Sequence, residues 1–325
     1  MKKFLFTLLV LCYAMTGKAQ NEMLSAILQT GDQVTMYTGT AAFSNAYNNA
    51  TDGSIITLSP GLFDMPKYIQ KSIIVYGAGW EEDSENGTTH ITTLNGGTEF
   101  KTTDGSTLQN IRLEGLYIKG SIVVNMIKGM IIDKCWINGD FNYSYREQIE
   151  DVTIRRSCIW GNISSQMGKI TNLTVNNCYI CGRYAPAGND TQVMFDHCIF
   201  NNNGYSSATG YYSNCILNLS SVGAASTLKN CICTFAEPTN VSLKENCWFG
   251  TGANIFSDVA TYDYSATRTF ELNDPDTYSG TDETPIGVTG GNFPWNKVPA
   301  IPVVTSLGLT VDGQNLNVTY DANVR

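Results

Sequence analysis

Between Met130 and Gly250 a short phrase centred on a cysteine recurs seven times. It reads IIDKCWI at Cys135, IRRSCIW at Cys158, VNNCYIC at Cys178 and FDHCIF at Cys198, then YSNCIL at Cys215, LKNCIC at Cys231 and LKENCWF at Cys247. Successive cysteines stand 23, 20, 20, 17, 16 and 16 residues apart. Such repetition leaves few folds open, because one unit of this size cannot bury its own apolar face and must stack on the next. A solenoid is the expected outcome.

Side chains alternate along a strand, so each cysteine shares a face with the residue two places on. That pairs Cys135 with Ile137, Cys158 with Trp160, Cys178 with Ile180 and Cys198 with Phe200 as inward residues. It also pairs Cys215 with Leu217, Cys231 with Cys233 and Cys247 with Phe249. Three places before the cysteine stand Ile132, Val175, Phe195, Tyr212 and Leu228, with Ile154 and Leu243 one place earlier in their repeats. The polar pair between, often containing Asn, suits a bend with one residue in the left-handed conformation. Gly115 stands 20 residues before Cys135, in the place the later cysteines take. The residue after each cysteine then faces out, giving a strip of Trp136, Ile159, Tyr179, Ile199, Ile216, Ile232 and Trp248. The 285–325 tail is the expected cover for that strip.

The first residues have the pattern of an export signal. Lys2 and Lys3 precede the apolar Phe4 to Ala14, and Gly17-Lys18-Ala19 is a small-x-small cleavage site. Cys12 is a poor lipoprotein site, since the residue before it is Leu11. Removing residues 1–19 takes away three lysines and moves the formal charge from −9 to −12. An acidic surface repels phosphate backbones, which argues against nucleic acid as a partner. No later run approaches the ~20 apolar residues of a membrane span. Nine cysteines follow the signal, an odd and evenly spaced set that suits buried free thiols better than a disulfide scaffold.

Ahead of the repeats, Ala41 to Ala50 has apolar residues at helical spacing, followed by the turn Asp52-Gly53 and the run IITLSPGLF from Ile55 to Phe63. A short amphipathic helix, a DG turn and I-x-L-x-P-G-x-F together resemble the opening of the pectin-lyase-like right-handed parallel β-helix proteins. Ser72 to Gly79 resembles their second coil. The resemblance implies an all-β, right-handed single-stranded parallel β-helix with an N-terminal helical cap. The expected layout is a signal at 1–19, lead-in and capping helix at 20–50, repeats at 51–256 in ten or eleven coils, and a tail with a β-hairpin at 257–325.

Many members of that superfamily cleave acidic polysaccharides, the lyases with a cationic base and often calcium, the hydrolases with paired carboxylates. No D-D, N-T-D or G-H-G cluster stands in this chain. The groups open to such a role are Arg146, Arg155, Arg183 and Asp140, with calcium implied only if the chain is a lyase. His90 and His197 are the only histidines, and His197 takes a corner position filled elsewhere by Asn. Cys178 and Cys181 have C-x-x-C spacing but lack the second pair of a zinc site. Trp136, Tyr143, Tyr145, Tyr184 and Tyr205 lie in or near the middle loops, where aromatic faces can stack on sugars. The expectation is an exported protein of the periplasm, outer cell surface or extracellular space that binds a polysaccharide or surface glycan without catalysis. A polysaccharide lyase or glycoside hydrolase is the alternative, and a structural spacer or adhesin the second alternative.

Overall fold

The computed structural model describes residues 24–82, 91–143, 149–165, 170–186, 193–252, 254–298, 302–312 and 315–324. The chain winds into a parallel β-solenoid of about eight turns, fewer than the repeat spacing suggested. The stack ends at the bridge between Ile232 and Trp248, and the residues after it fold back over the solenoid.

Each full coil contributes one strand to each of three sheets. The coil from Ile127 is typical, with Ile127–Asp133 in the first sheet, Trp136–Ile137 in the second and Phe141–Tyr143 in the third. Stacking is in register: Ile132 lies beside Leu113 and Ile154, and Ile137 beside Ile118 and Ile159. Like residues therefore form columns ~4.8 Å apart. The inward column Ile132, Ile154, Val175, Phe195, Tyr212 and Leu228 is fully buried. Phe195 and Tyr212 stack within it at 5.2 Å and 10°.

The corner between the first and second sheets is built as the polar pairs suggested. Lys134, Arg156, Asn177, His197, Asn214, Asn230 and Asn246 all have φ between 47° and 51°. After this corner comes a row of small side chains pointing inward. Its members are Leu116, Cys135, Ser157, Cys178, Cys198, Cys215, Cys231 and Cys247. Two expectations are corrected here. Leu116, not Gly115, precedes Cys135 in the row, because Gly115 aligns with Lys134. Ser157, not Cys158, follows it, because Trp136 aligns with Cys158 and Ile137 with Ile159. Ile159 is thus the inward partner in that coil, and Trp160 turns outward. The offset of Ile154 in the sequence is the mark of this one-place shift. The thiols donate to carbonyl oxygens in their own corner, Cys178 to Asn176 at 3.2 Å and Cys215 to Ser213 at 3.0 Å. Ser157 makes the same bond to Arg155 at 2.7 Å. All nine cysteines among the described residues are free.

The corner between the second and third sheets rests on a glycine column that the cysteine phrase obscures: Gly97, Gly120, Gly139, Gly161 and Gly182. Backbones pass so closely there that a Cβ on Gly182 would sit 2.0 Å from the carbonyl oxygen of Gly161.

At the N-terminal end the strands Ser25–Thr30 and Gln33–Thr38 form a hairpin that extends the first sheet antiparallel. Helix α1, Ala42–Asn49, buries Ala42, Phe43, Ala46 and Tyr47 against it. The outward row of the second sheet is Tyr117, Trp136, Cys158, Tyr179, Ile199, Ile216, Ile232 and Trp248. It is covered by residues 255–295 rather than by the 285–325 tail. Ile255, Phe256, Tyr262, Phe270, Leu272, Ile286 and Val288 bury themselves on it as a second core. Segment 278–298 then runs back along the first corner, with Asn177 donating to the carbonyls of Val288 and Gly290 and Lys134 to that of Val298. Pro302–Asp312 and Asn315–Val324 pair as the expected antiparallel hairpin. No helix among the described residues is long and apolar enough to cross a membrane.

Candidate functional site

The cover hides most of the second sheet's outward row but leaves one ring beside that row in water. Trp160 follows inward-facing Ile159, so strand alternation and the glycine bend at Gly161 turn it to the surface at the second corner. It is 48% exposed. Its ring lies on Trp136 at 5.6 Å between centroids and 18° between planes. Trp136 is itself packed by Trp80 at 5.2 Å and by Tyr264 edge-on at 5.1 Å. The buried indole N–H groups of Trp80, Trp136 and Trp295 have no acceptor. This cluster is therefore held by ring packing, and it fixes the orientation of the exposed face.

Two residues further along each coil runs a polar column. The Ser121 hydroxyl accepts from the Asp140 amide at 3.0 Å, an Asp140 carboxylate oxygen from the Asn162 amide at 2.7 Å, and the Asn162 side chain from the Arg183 amide at 3.2 Å. Each side chain caps the next coil, so Asp140 serves the bend. The Arg183 guanidinium lies 5.1 Å from the ring centre of Tyr205, which is 56% exposed. Trp160, Arg183 and Tyr205 come from three successive coils, spanning on the order of 10 Å along the axis. Two exposed ring faces with the Asn162 side chain and the Arg183 guanidinium between them along the axis suit a chain of sugar rings. A ring's negative face attracts the polarised C–H groups of a pyranose, while the polar groups reach its hydroxyls.

The other sequence candidates fall elsewhere. Tyr143 and Tyr184 point into the solenoid and are buried, their hydroxyls 3.4 Å apart. They are core residues, because both occupy inward positions of third-sheet strands. Arg146, Tyr145 and His90 lie outside the described residues, as does the 1–19 segment. Among the described residues no group of three or more His, Cys, Asp or Glu is placed to hold a metal.

Arg155 lies at the first corner, in a charge cluster that the sequence alone did not assemble. Asp133 is fully buried and takes Arg155 Nε at 2.9 Å, Arg156 Nε at 2.9 Å and Arg112 at 3.4 Å. Burial alone would raise the Asp133 pKa, but the bonds and charges of Arg156 and Arg155 outweigh it and hold it below the usual carboxylate range. Buried Glu114 takes Arg112 at 2.6 Å. Phe293 closes one side, its ring centre 4.7 Å from the Arg155 guanidinium and 5.9 Å from that of Arg156. Lys134 is buried beside them, and its pKa is lowered by burial and then by Arg156.

His197 is also a corner residue, now under the returning segment. Its Nε2 is 3.0 Å from the Thr284 hydroxyl and 3.3 Å from Asp282, and its Nδ1 lies 3.2 Å from Asp196. Gly290 and Gly291 pack on the imidazole so closely that a Cβ on either would come within 2.8 Å. It is a clamp for the covering segment. No protein-family model, curated protein or solved structure matches this chain.

Proposed function

We propose that this is an exported, non-catalytic glycan-binding solenoid that carries a polysaccharide along the corner between its second and third sheets. The observation that carries the reading is Trp160, half-exposed and seated flat on a packed aromatic cluster, beside an outward row that is covered. A ring face fixed in orientation and left in water suits stacking on a sugar, and Tyr205 offers a second exposed ring two coils further along. The charged start, apolar core and small-x-small site of residues 1–19 support export. The non-catalytic reading is supported by the use already made of the candidate groups, with Arg155 bonded to Asp133 and Asp140 capping the next coil.

Affinity electrophoresis in gels containing neutral or uronate polysaccharides tests it. Wild type is expected to be retarded by at least one polymer, with retardation lost in Trp160→Ala and weakened in Tyr205→Ala. Retardation unchanged in Trp160→Ala would remove the site. Unsaturated or reducing-end product from the retarding polymer would replace the binding role with an enzymatic one.

A further inference from the structure

Six charged side chains meet at the first corner in the coils of Gly115, Lys134 and Arg156. Four are basic, Arg112, Lys134, Arg155 and Arg156, and two are acidic, Glu114 and Asp133. The formal surplus is two positive charges, in a chain whose formal charge is −9. The three arginines lie outermost, while Lys134 is buried with the two acids and donates to the Val298 carbonyl. Glu114 and Asp133 are buried, whereas the side chains of Arg112, Arg155 and Arg156 keep 26%, 18% and 20% of their surface. The carboxylates take the Nε and Nη2 groups of the three arginines and so set the guanidinium planes, while the side chains stay partly exposed.

The backbone gives a second, independent sign. The left-handed corner position is held by Asn in four coils, Asn177, Asn214, Asn230 and Asn246, as its short side chain favours. Lys134 and Arg156 take that position instead, with φ of 49° and 47°. Long cations held against local preference, side by side, point to a demand for their charge.

We propose that this corner is an oxyanion site for a phosphoryl group, held by Arg112, Arg155 and Arg156, with the buried Lys134 adding its charge from beneath. Planar guanidinium forks match a tetrahedral oxyanion in two-point contact. A phosphate monoester or inorganic phosphate carries about two negative charges at neutral pH, equal to the surplus, whereas a carboxylate carries one. The assignment stands apart from the glycan corner, since Trp160 takes no part in it.

Isothermal titration calorimetry on the mature protein at low salt tests it with inorganic phosphate, glucose 6-phosphate and glucuronate. Saturable heat with phosphate is expected, weakening as the pH falls and the anion loses its second charge, which for the ester happens at about pH 6. Glucuronate is expected to bind more weakly. Glucose 6-phosphate binding as well as phosphate identifies an ester as the ligand, and binding of phosphate alone identifies the free anion; both uphold the site. Two variants locate it. Lys134→Asn installs the residue that four other coils use at this bend, and Arg112→Gln alters the most exposed of the arginines. Each is expected to raise the Kd at least about ten-fold, with the circular dichroism melt showing the variant folded. Absence of heat at millimolar phosphate, or an unchanged Kd in both folded variants, overturns the proposal. Glycan retardation is expected to persist in Lys134→Asn, so the two sites fail or stand separately.

Discussion

Trp160 lies flat on Trp136, 5.6 Å from it and tilted by 18°, and the two rings belong to different worlds. Trp136 is part of the buried seam between the second sheet and residues 255–295, while Trp160 keeps half its surface in water. Their substitutions should therefore separate. Trp160→Ala is expected to lower stability by only ~0.5–1.5 kcal/mol, the worth of one aromatic contact. Trp136→Ala leaves a cavity among Trp80, Tyr117 and Tyr264 and is expected to cost about 3–5 kcal/mol. Urea unfolding followed by tryptophan fluorescence compares them. Equal losses would mean that Trp160 is structural rather than a free platform.

Asp133 makes the fold acid-sensitive. Its folded pKa is depressed, so its contribution is complete above the unfolded value of ~3.9 and is lost as pH falls through the lower folded value. Melting temperature is expected to drop on acidification below about pH 4. Asp133→Asn leaves three guanidinium groups with one carboxylate fewer and is expected to cost about 3–5 kcal/mol at neutral pH. It should also flatten the acid limb of the stability profile. A variant with an unchanged acid limb would show that other carboxylates govern it.

The thiol row should be inert except at its end. Burial raises the pKa of Cys135, Cys178, Cys215, Cys231 and Cys233. Cys247, on the last rung, is partly open, and a hydrogen bond from Cys231 lowers it to about 7. Brief iodoacetamide treatment of the native protein, read by peptide mass spectrometry, should label Cys247 well before those five. Thiol counting on the denatured, unreduced mature chain should find most of the nine cysteines free. Three or four disulfides would contradict the row as an interior ladder.

The glycine column offers a contrast within one residue type. A Cβ on Gly182 would collide with the backbone of the coil below, whereas one on Gly204 meets nothing within 4 Å. Gly182→Ala is expected to destabilise strongly, by ~3 kcal/mol or more as an overpacked core position, and Gly204→Ala to leave the melt unchanged. Similar melts for both would mean that the corner can open without cost.

The chain's repeat was enough to determine that it stacks. Apolar residues recurring near every 20 positions, with polar pairs at the bends, can be satisfied only by a parallel solenoid, and the left-handed corner and inward thiols followed from strand alternation. Even the slip at Cys158 was written in the offset of Ile154. Tertiary structure decided what local pattern cannot encode. Tyr143 and Tyr184 read as loop aromatics, yet register places them inside, because their inward direction is set by the phase of each third-sheet strand. The cover over the outer row comes from residues 255–295, whose apolar residues follow no repeat and find partners as distant in the chain as Trp80 and Trp136. The charge cluster gathers residues from three coils and from Phe293, so no stretch of sequence contains it. Where the rings and the cations meet solvent is a property of which surfaces that cover leaves bare.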